Sequence, residues 1–288
     1  MRISGLKSGV VMSCALLALA GSVSAKDLNG GTEQARIIRF PARGVQGAVS
    51  TDEQLLAKAT NLTNHGGPVI TRAHVVFIFW GSFPSGYTSS LQAFRNQFGT
   101  NGEYNTITQY SGSNGTVALN NLAGGSADWF DTSAPPTAVT DSIVQNKVNA
   151  YLSTHSFDAN AIYEVVIPSS SYSDDGSGAT SCGGPNLAYC AYHSWIGSGT
   201  GATKYSIQPY PSCSGCTVSG WSAVQNQEHF VCHETREAVT DPTGSTWYDR
   251  SGNEADDKCA WSPTPFLSGG FGYQDEWSNS GSHCVQTR

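Results

Sequence analysis

Two uninterrupted apolar runs stand out along the chain: His74-Val75-Val76-Phe77-Ile78-Phe79-Trp80, stopped by Gly81, and Ala161-Ile162-Tyr163-Glu164-Val165-Val166-Ile167, stopped by Pro168. Both are rich in β-branched and aromatic residues and lack polar alternation, so both read as central strands covered on two faces. Between them the period changes. Leu91, Phe94 and Phe98 recur three and four residues apart within 89–98, as do Ile143, Val144, Val148 and Leu152 within 140–152. That spacing predicts two amphipathic helices. Shorter strands are expected at 188–195 and 205–210. Strands alternating with helices imply an α/β or α+β single domain with a central mixed sheet and flanking helices. Order is expected to begin at Val69, because 26–64 is polar and Gly-containing and reads as a linker or propeptide. The chain thus divides into 1–25, 26–64 and a globular 65–288, a candidate catalytic domain.

The N-terminus changes the picture from fold to compartment. Arg2 and Lys7 precede an apolar run from Val10 to Ala20, followed by the small residues Val23-Ser24-Ala25. This is the pattern of a secretory signal peptide, with an apolar core too short to span a bilayer. Secretion is expected, to the exterior or to the periplasm of a Gram-negative source. The formal net charge of -7 becomes more negative once Arg2 and Lys7 leave with the signal. Such a charge argues against nucleic acid as a partner, and no later run is long enough for a membrane span. Of eight cysteines, Cys14 lies in the signal and seven remain. Local pairing of Cys182 with Cys190, Cys213 with Cys216 and Cys259 with Cys284 is expected in an oxidising compartment, leaving Cys232 as the free thiol.

One further helix carries candidate chemistry. His229-Phe230-Val231-Cys232-His233-Glu234-Thr235-Arg236-Glu237-Ala238 runs to a stop at Asp241-Pro242. At 100° per residue Val224, Val231 and Ala238 form a core-facing stripe, which places His229, His233 and Glu237 together on the opposite face. His233-Glu234-x-x-Glu237 has the form of the zincin signature with glutamate for its second histidine. Residues four apart on one face can share a metal, and the intervening Glu234 is placed to act as general base on a zinc-bound water. The bland alternative is an exposed helix face with an ordinary i,i+4 pair. Against it stand the acids that follow: Asp249, Glu254 and Asp257 lie within 12 to 20 residues of Glu237. Glu254 ranks first as the third ligand, ahead of Asp257, Asp249 and His229. His193 and Tyr248 are candidate donors to a developing oxyanion. Asp174-Asp175-Gly176 could hold calcium, although a solvated turn explains it more simply.

Several short motifs in order carry a family likeness. Asn64-His65-Gly66-Gly67-Pro68-Val69 leading into Val75 to Gly81, then Cys190-Ala191-Tyr192-His193, then Tyr205 ahead of Cys213-Ser214-Gly215-Cys216, resembles the EXORDIUM or phosphate-induced family of plant extracellular proteins. His233 to Pro242 with Trp247-Tyr248-Asp249 and Glu254 to Cys259 is similar to a bacterial secreted branch that reads as zinc metallopeptidases. The resemblance implies a secreted, metal-dependent peptidase acting on peptides or proteins, with zinc as cofactor. In that reading His233, Glu237 and Glu254 hold the metal and Glu234, His193 and Tyr248 assist the chemistry. A non-catalytic extracellular binding or signalling protein is the alternative. A glycosidase built on Glu234 and Glu254 ranks third, because it leaves His233 without a role.

Overall fold

The computed structural model describes residues 36–44 and 60–288. The expected signal, residues 1–25, lies outside them. A six-stranded mixed sheet forms the centre, built from β1 (Ile38–Pro41), β2 (His74–Trp80), β3 (Trp129–Asp131), β4 (Ala161–Ile167), β5 (Tyr189–Ile196) and β6 (Thr203–Pro209) in the order β1-β5-β6-β4-β2-β3. The four strands β6, β4, β2 and β3 run parallel. β5 returns antiparallel to β6, and β1 is antiparallel to β5.

Helices cover both faces, as the two apolar runs require. α1 (Tyr87–Phe98) and α3 (Ala223–Thr240) pack on one face against Val75, Phe77, Phe79, Ile162 and Val166. On the other, α2 (Asp141–Leu152) packs Val144, Val148 and Tyr151 against Val76, Ile78, Tyr163 and Val165. Alternate residues of one strand thereby enter two separate cores. The strands and helices expected from periodicity all form, within one or two residues of the expected bounds at most ends.

Order begins earlier than the polar composition suggests. Ile38–Pro41 inside the expected linker is the edge strand of the main sheet, paired Ile38 to His193 and Phe40 to Ala191. Ile38 and Phe40 are buried while Arg39 and Pro41 are exposed, so a period-2 pattern was present within a polar stretch.

Two hairpins near the C-terminus close the α3 side: β7 (Phe266–Ser268) with β8 (Phe271–Tyr273), and β9 (Glu276–Ser278) with β10 (His283–Val285). Gly272 lets β8 lie directly on α3, since a Cβ there would fall 2.1 Å from the Gln225 carbonyl oxygen. Its N–H donates to Glu228 Oε2.

Three disulfides join Cys182 to Cys213, Cys190 to Cys216 and Cys259 to Cys284, and Cys232 is a buried free thiol. The last pair and the free thiol match the local expectation. The first two correct it: Cys213 and Cys216 flank a tight 3-10 turn packed against the start of β5 and its preceding loop, so each cysteine faces a different partner across the gap. The bridges fit an oxidising compartment. No helix among the described residues is long and apolar enough to cross a membrane.

Candidate metal centre

α3 starts with a capping box. The Ser222 side chain accepts from Gln225 N–H, and the Gln225 side chain accepts from Ser222 N–H. The helix ends at Asp241, whose carboxylate takes the N–H groups of Ser245 and Thr246. An exposed face is excluded, because every residue from Asn226 to Thr240 is buried. Its polar side chains are met by the sheet and the C-terminal hairpins. Gln227 donates to Gln208 at 2.8 Å, Thr235 donates to Glu164 at 3.2 Å, and Arg236 pairs with Asp256 and Glu276.

Several atoms of the motif and its surroundings lack such hydrogen bonds. His233 Nε2 and Glu237 Oε2 lie 3.1 Å apart, fully buried, as an i,i+4 ion pair, with no hydrogen bond from either atom to a third group. Glu234 Oε1, His193 Nε2 and both Glu254 oxygens are also buried without a hydrogen bond. Orphaned atoms of this kind are costly and call for a cation or a proton. Two ligand-like groups result, His233 with Glu237 and Asp257, and His193 with Glu237 and Glu254. They meet at Glu237. Asp257 Oδ1 is 3.7 Å from His233 Nε2, whereas Glu254 Oε2 is 3.7 Å from His193 Nε2. The acid that sequence ranked second thus lies beside His233, and the first-ranked one lies beside the β5 histidine.

Neighbouring groups set the histidine tautomers. Gln274 donates its amide N–H groups to Asp256, so its oxygen accepts from His233 Nδ1 at 3.2 Å and from His229 Nε2 at 2.9 Å. Gln274 thereby fixes the His233 Nδ1–H, the second-sphere arrangement typical of a metal-binding imidazole, while Nε2 faces Glu237 Oε2. His193 Nδ1 likewise donates to Glu234 Oε2 at 2.9 Å. Without a metal, burial opposes a charge on His233, but Glu237 and Glu234 overcome it and lift its pKa to about 10. Burial depresses His193 to about 4. Burial also raises Glu234 and Glu254 well above the carboxylate range and Asp257 to about 8, with Glu237 adding to each. The donor set is therefore crowded with like charge that a divalent cation would relieve.

Comparison with models of protein families, with characterised proteins and with solved structures finds no match. The site has to be read from its own geometry.

The other candidates fall into place around it. Tyr248 stacks on His65 at 3.7 Å, and the Arg36 guanidinium lies 5.6 Å from the Tyr248 ring and 3.8 Å from Glu254. Asp249 organises its own loop by accepting from Ser251, Asn253 and Lys258. His229 belongs to neither ligand group. At the calcium candidate, Asp174 and Asp175 accept from Gly176 and Ser177, and Asp175 also pairs with Arg39. Sequence reasoning missed Phe40, Arg36 and Gln274. Alternation at Ile38-Arg39-Phe40 was a signal for the first, but Gln274 sits in a tail with no periodicity or motif to single it out.

Proposed function

We propose that the chain is a secreted metal-dependent peptidase whose centre holds zinc through His233, Glu237 and Asp257, with Glu254 and His193 also grouped around Glu237. The observation that carries this reading is the buried grouping of His233, Glu237 and Asp257 at ligand distances, the first two on consecutive turns of α3, with Glu234 Oε1 lacking a hydrogen bond beside them. One imidazole and two carboxylates are a legitimate zinc donor set. A zinc ion held there supplies Lewis acidity toward a peptide carbonyl and acidifies water. Glu234 is the proton acceptor in this reading, its Oε1 lacking a hydrogen bond and its other oxygen fixed by His193. With its single proton on Nδ1, His193 turns the Nε2 lone pair toward Glu254 and is placed as a ligand or acceptor rather than as the oxyanion donor expected from sequence. The signal-like N-terminus and the bridges support secretion. The EXORDIUM-like motifs agree with an extracellular role.

The complete burial of His233 and Glu237 favours one second reading, a structural metal in a non-catalytic binding protein. Glu234→Gln separates the two. The peptidase reading expects folding and zinc content near the parent, with hydrolysis of an unfolded protein lowered by about 10² or more, the scale of general-base catalysis. Hydrolysis at the parent rate would remove the peptidase reading. Equal metal in the parent and a His233→Ala, Glu237→Ala double variant would remove the metal centre itself.

A further inference from the structure

β1 covers the candidate centre by a distinctive route. It lies along the outer edge of β5, the strand that carries His193, and Ile38 stands directly opposite that histidine. Alternation buries Ile38, Phe40 and Ala42, Phe40 and Ala42 in a cluster with Phe230 of α3 and Ile38 against Trp195 and Ala202. The Phe40 ring enters an aromatic pocket 4.3 Å from His233, 5.0 Å from His229, 5.2 Å from Phe230 and 5.1 Å from Trp261. At the other end Arg36 brings a guanidinium to Glu254. Residues 36–40 thus place an aromatic ring on one candidate ligand and a cation near another. Most of the anchoring between is main-chain: Ala42 N–H donates to the Ala188 carbonyl, Arg43 N–H to that of Gly215, Ser194 Oγ to that of Arg36 and Trp261 Nε1 to that of Pro41. Main-chain contacts of this kind accept any extended chain, and side-chain pockets at alternate positions choose among them.

We infer that the β5 edge is a docking groove for an extended peptide, that residues 36–44 occupy it as an intramolecular strand, and that substrate enters by replacing them. The Phe40 pocket then selects peptides with an aromatic side chain, with an apolar residue two positions before it in the place of Ile38. That such a peptide is hydrolysed rests on the peptidase reading; that it binds does not. A tethered occupant competes at about millimolar effective concentration, so the intact chain masks its own groove.

The test uses the full-length protein with Ile38→Ala and Phe40→Ala together, and a fluorescein-labelled peptide of the sequence Arg-Ile-Ile-Arg-Phe-Pro-Ala-Arg-Gly, read by anisotropy. The double variant is expected to bind the peptide about tenfold or more tighter than the parent, and a peptide with alanine in place of phenylalanine to bind about tenfold weaker, the scale of a lost aromatic anchor. Equal binding to parent and variant, or to neither, overturns the groove. A second form covers the case in which the double variant fails to fold: the full chain with a specific protease site inserted after Ser50, cut after folding. Residues 36–44 are then expected to exchange for excess labelled peptide on gel filtration, and retention of the original strand overturns the proposal. Hydrolysis of an unfolded protein is followed in parallel. Binding without hydrolysis upholds the groove and counts against the peptidase reading, whereas hydrolysis without peptide binding does the reverse.

Discussion

At the scale of single residues, burial determines what each acid can do. Glu164 shows this away from the motif. It sits in β4 beneath α3, hydrogen-bonded by Ser206, Gln208 and Thr235, and burial lifts its pKa from 4.5 to about 7 against those bonds. The folded state therefore holds a proton that the unfolded state releases above pH 4.5. Stability from this group is present below about pH 4.5 and is lost as pH rises toward about 7, a loss of about 3 kcal/mol. Urea melts of the parent and Glu164→Gln are expected to converge at low pH and to diverge above neutrality, with the variant the more stable. A parent that gains on the variant as pH rises would contradict the assignment. The metal ligands make a second residue-scale prediction. Asp257 faces His233 and Glu254 faces His193, so Asp257→Asn should weaken zinc binding, measured by competition with a chelator, more than Glu254→Gln does. The reverse order would return Glu254 to the position that its sequence rank suggested.

At the scale of elements, legibility followed the surroundings of each segment. β2 and β4 were readable because both faces are packed, and an apolar run with a terminal glycine or proline has few other interpretations. α1 and α2 were readable because each has one wet face. α3 was identified from its motif, but its environment was not, since the residues that fill its polar face, Gln208, Glu164, Gln274 and Asp256, come from four separate segments. β1 was missed because four residues inside a polar stretch give too short a run for composition to register. The third ligand stayed open for a related reason: distance along the chain from Glu237 does not say which way a loop turns. The capping box of α3 gives an element-scale prediction. Ser222→Ala removes the acceptor for Gln225 N–H and is expected to cost about 1 kcal/mol in chemical denaturation, with zinc content unchanged because the ligands lie three turns further along. A loss of metal in step with stability would mean that the helix start and the centre are coupled.

At the scale of the whole molecule, three layers meet at the junction of β5, α3 and the C-terminal hairpins, and the bridges tie the same region together. Cys182–Cys213 fixes the loop before β5, Cys190–Cys216 ties the start of β5 to the 3-10 turn, and Cys259–Cys284 joins the segment after Asp257 to the last hairpin. Peptide mapping without reduction should recover these three pairs, with alkylation at Cys232 alone. The first two pairs are interleaved along the chain, each closing a ring that contains one end of the other. A reduced chain meets its nearest thiols first, and Cys213 with Cys216 or Cys182 with Cys190 can join across a far smaller loop than either native bridge spans. Early oxidation therefore stores material in misbridged species, and escape needs repeated thiolate attack. Refolding of reduced protein in air should give a low yield of native chain, and a glutathione couple with a disulfide isomerase should raise it severalfold. In the cell, production would then be limited by the supply of isomerase where the chain emerges, rather than by the rate at which it is made.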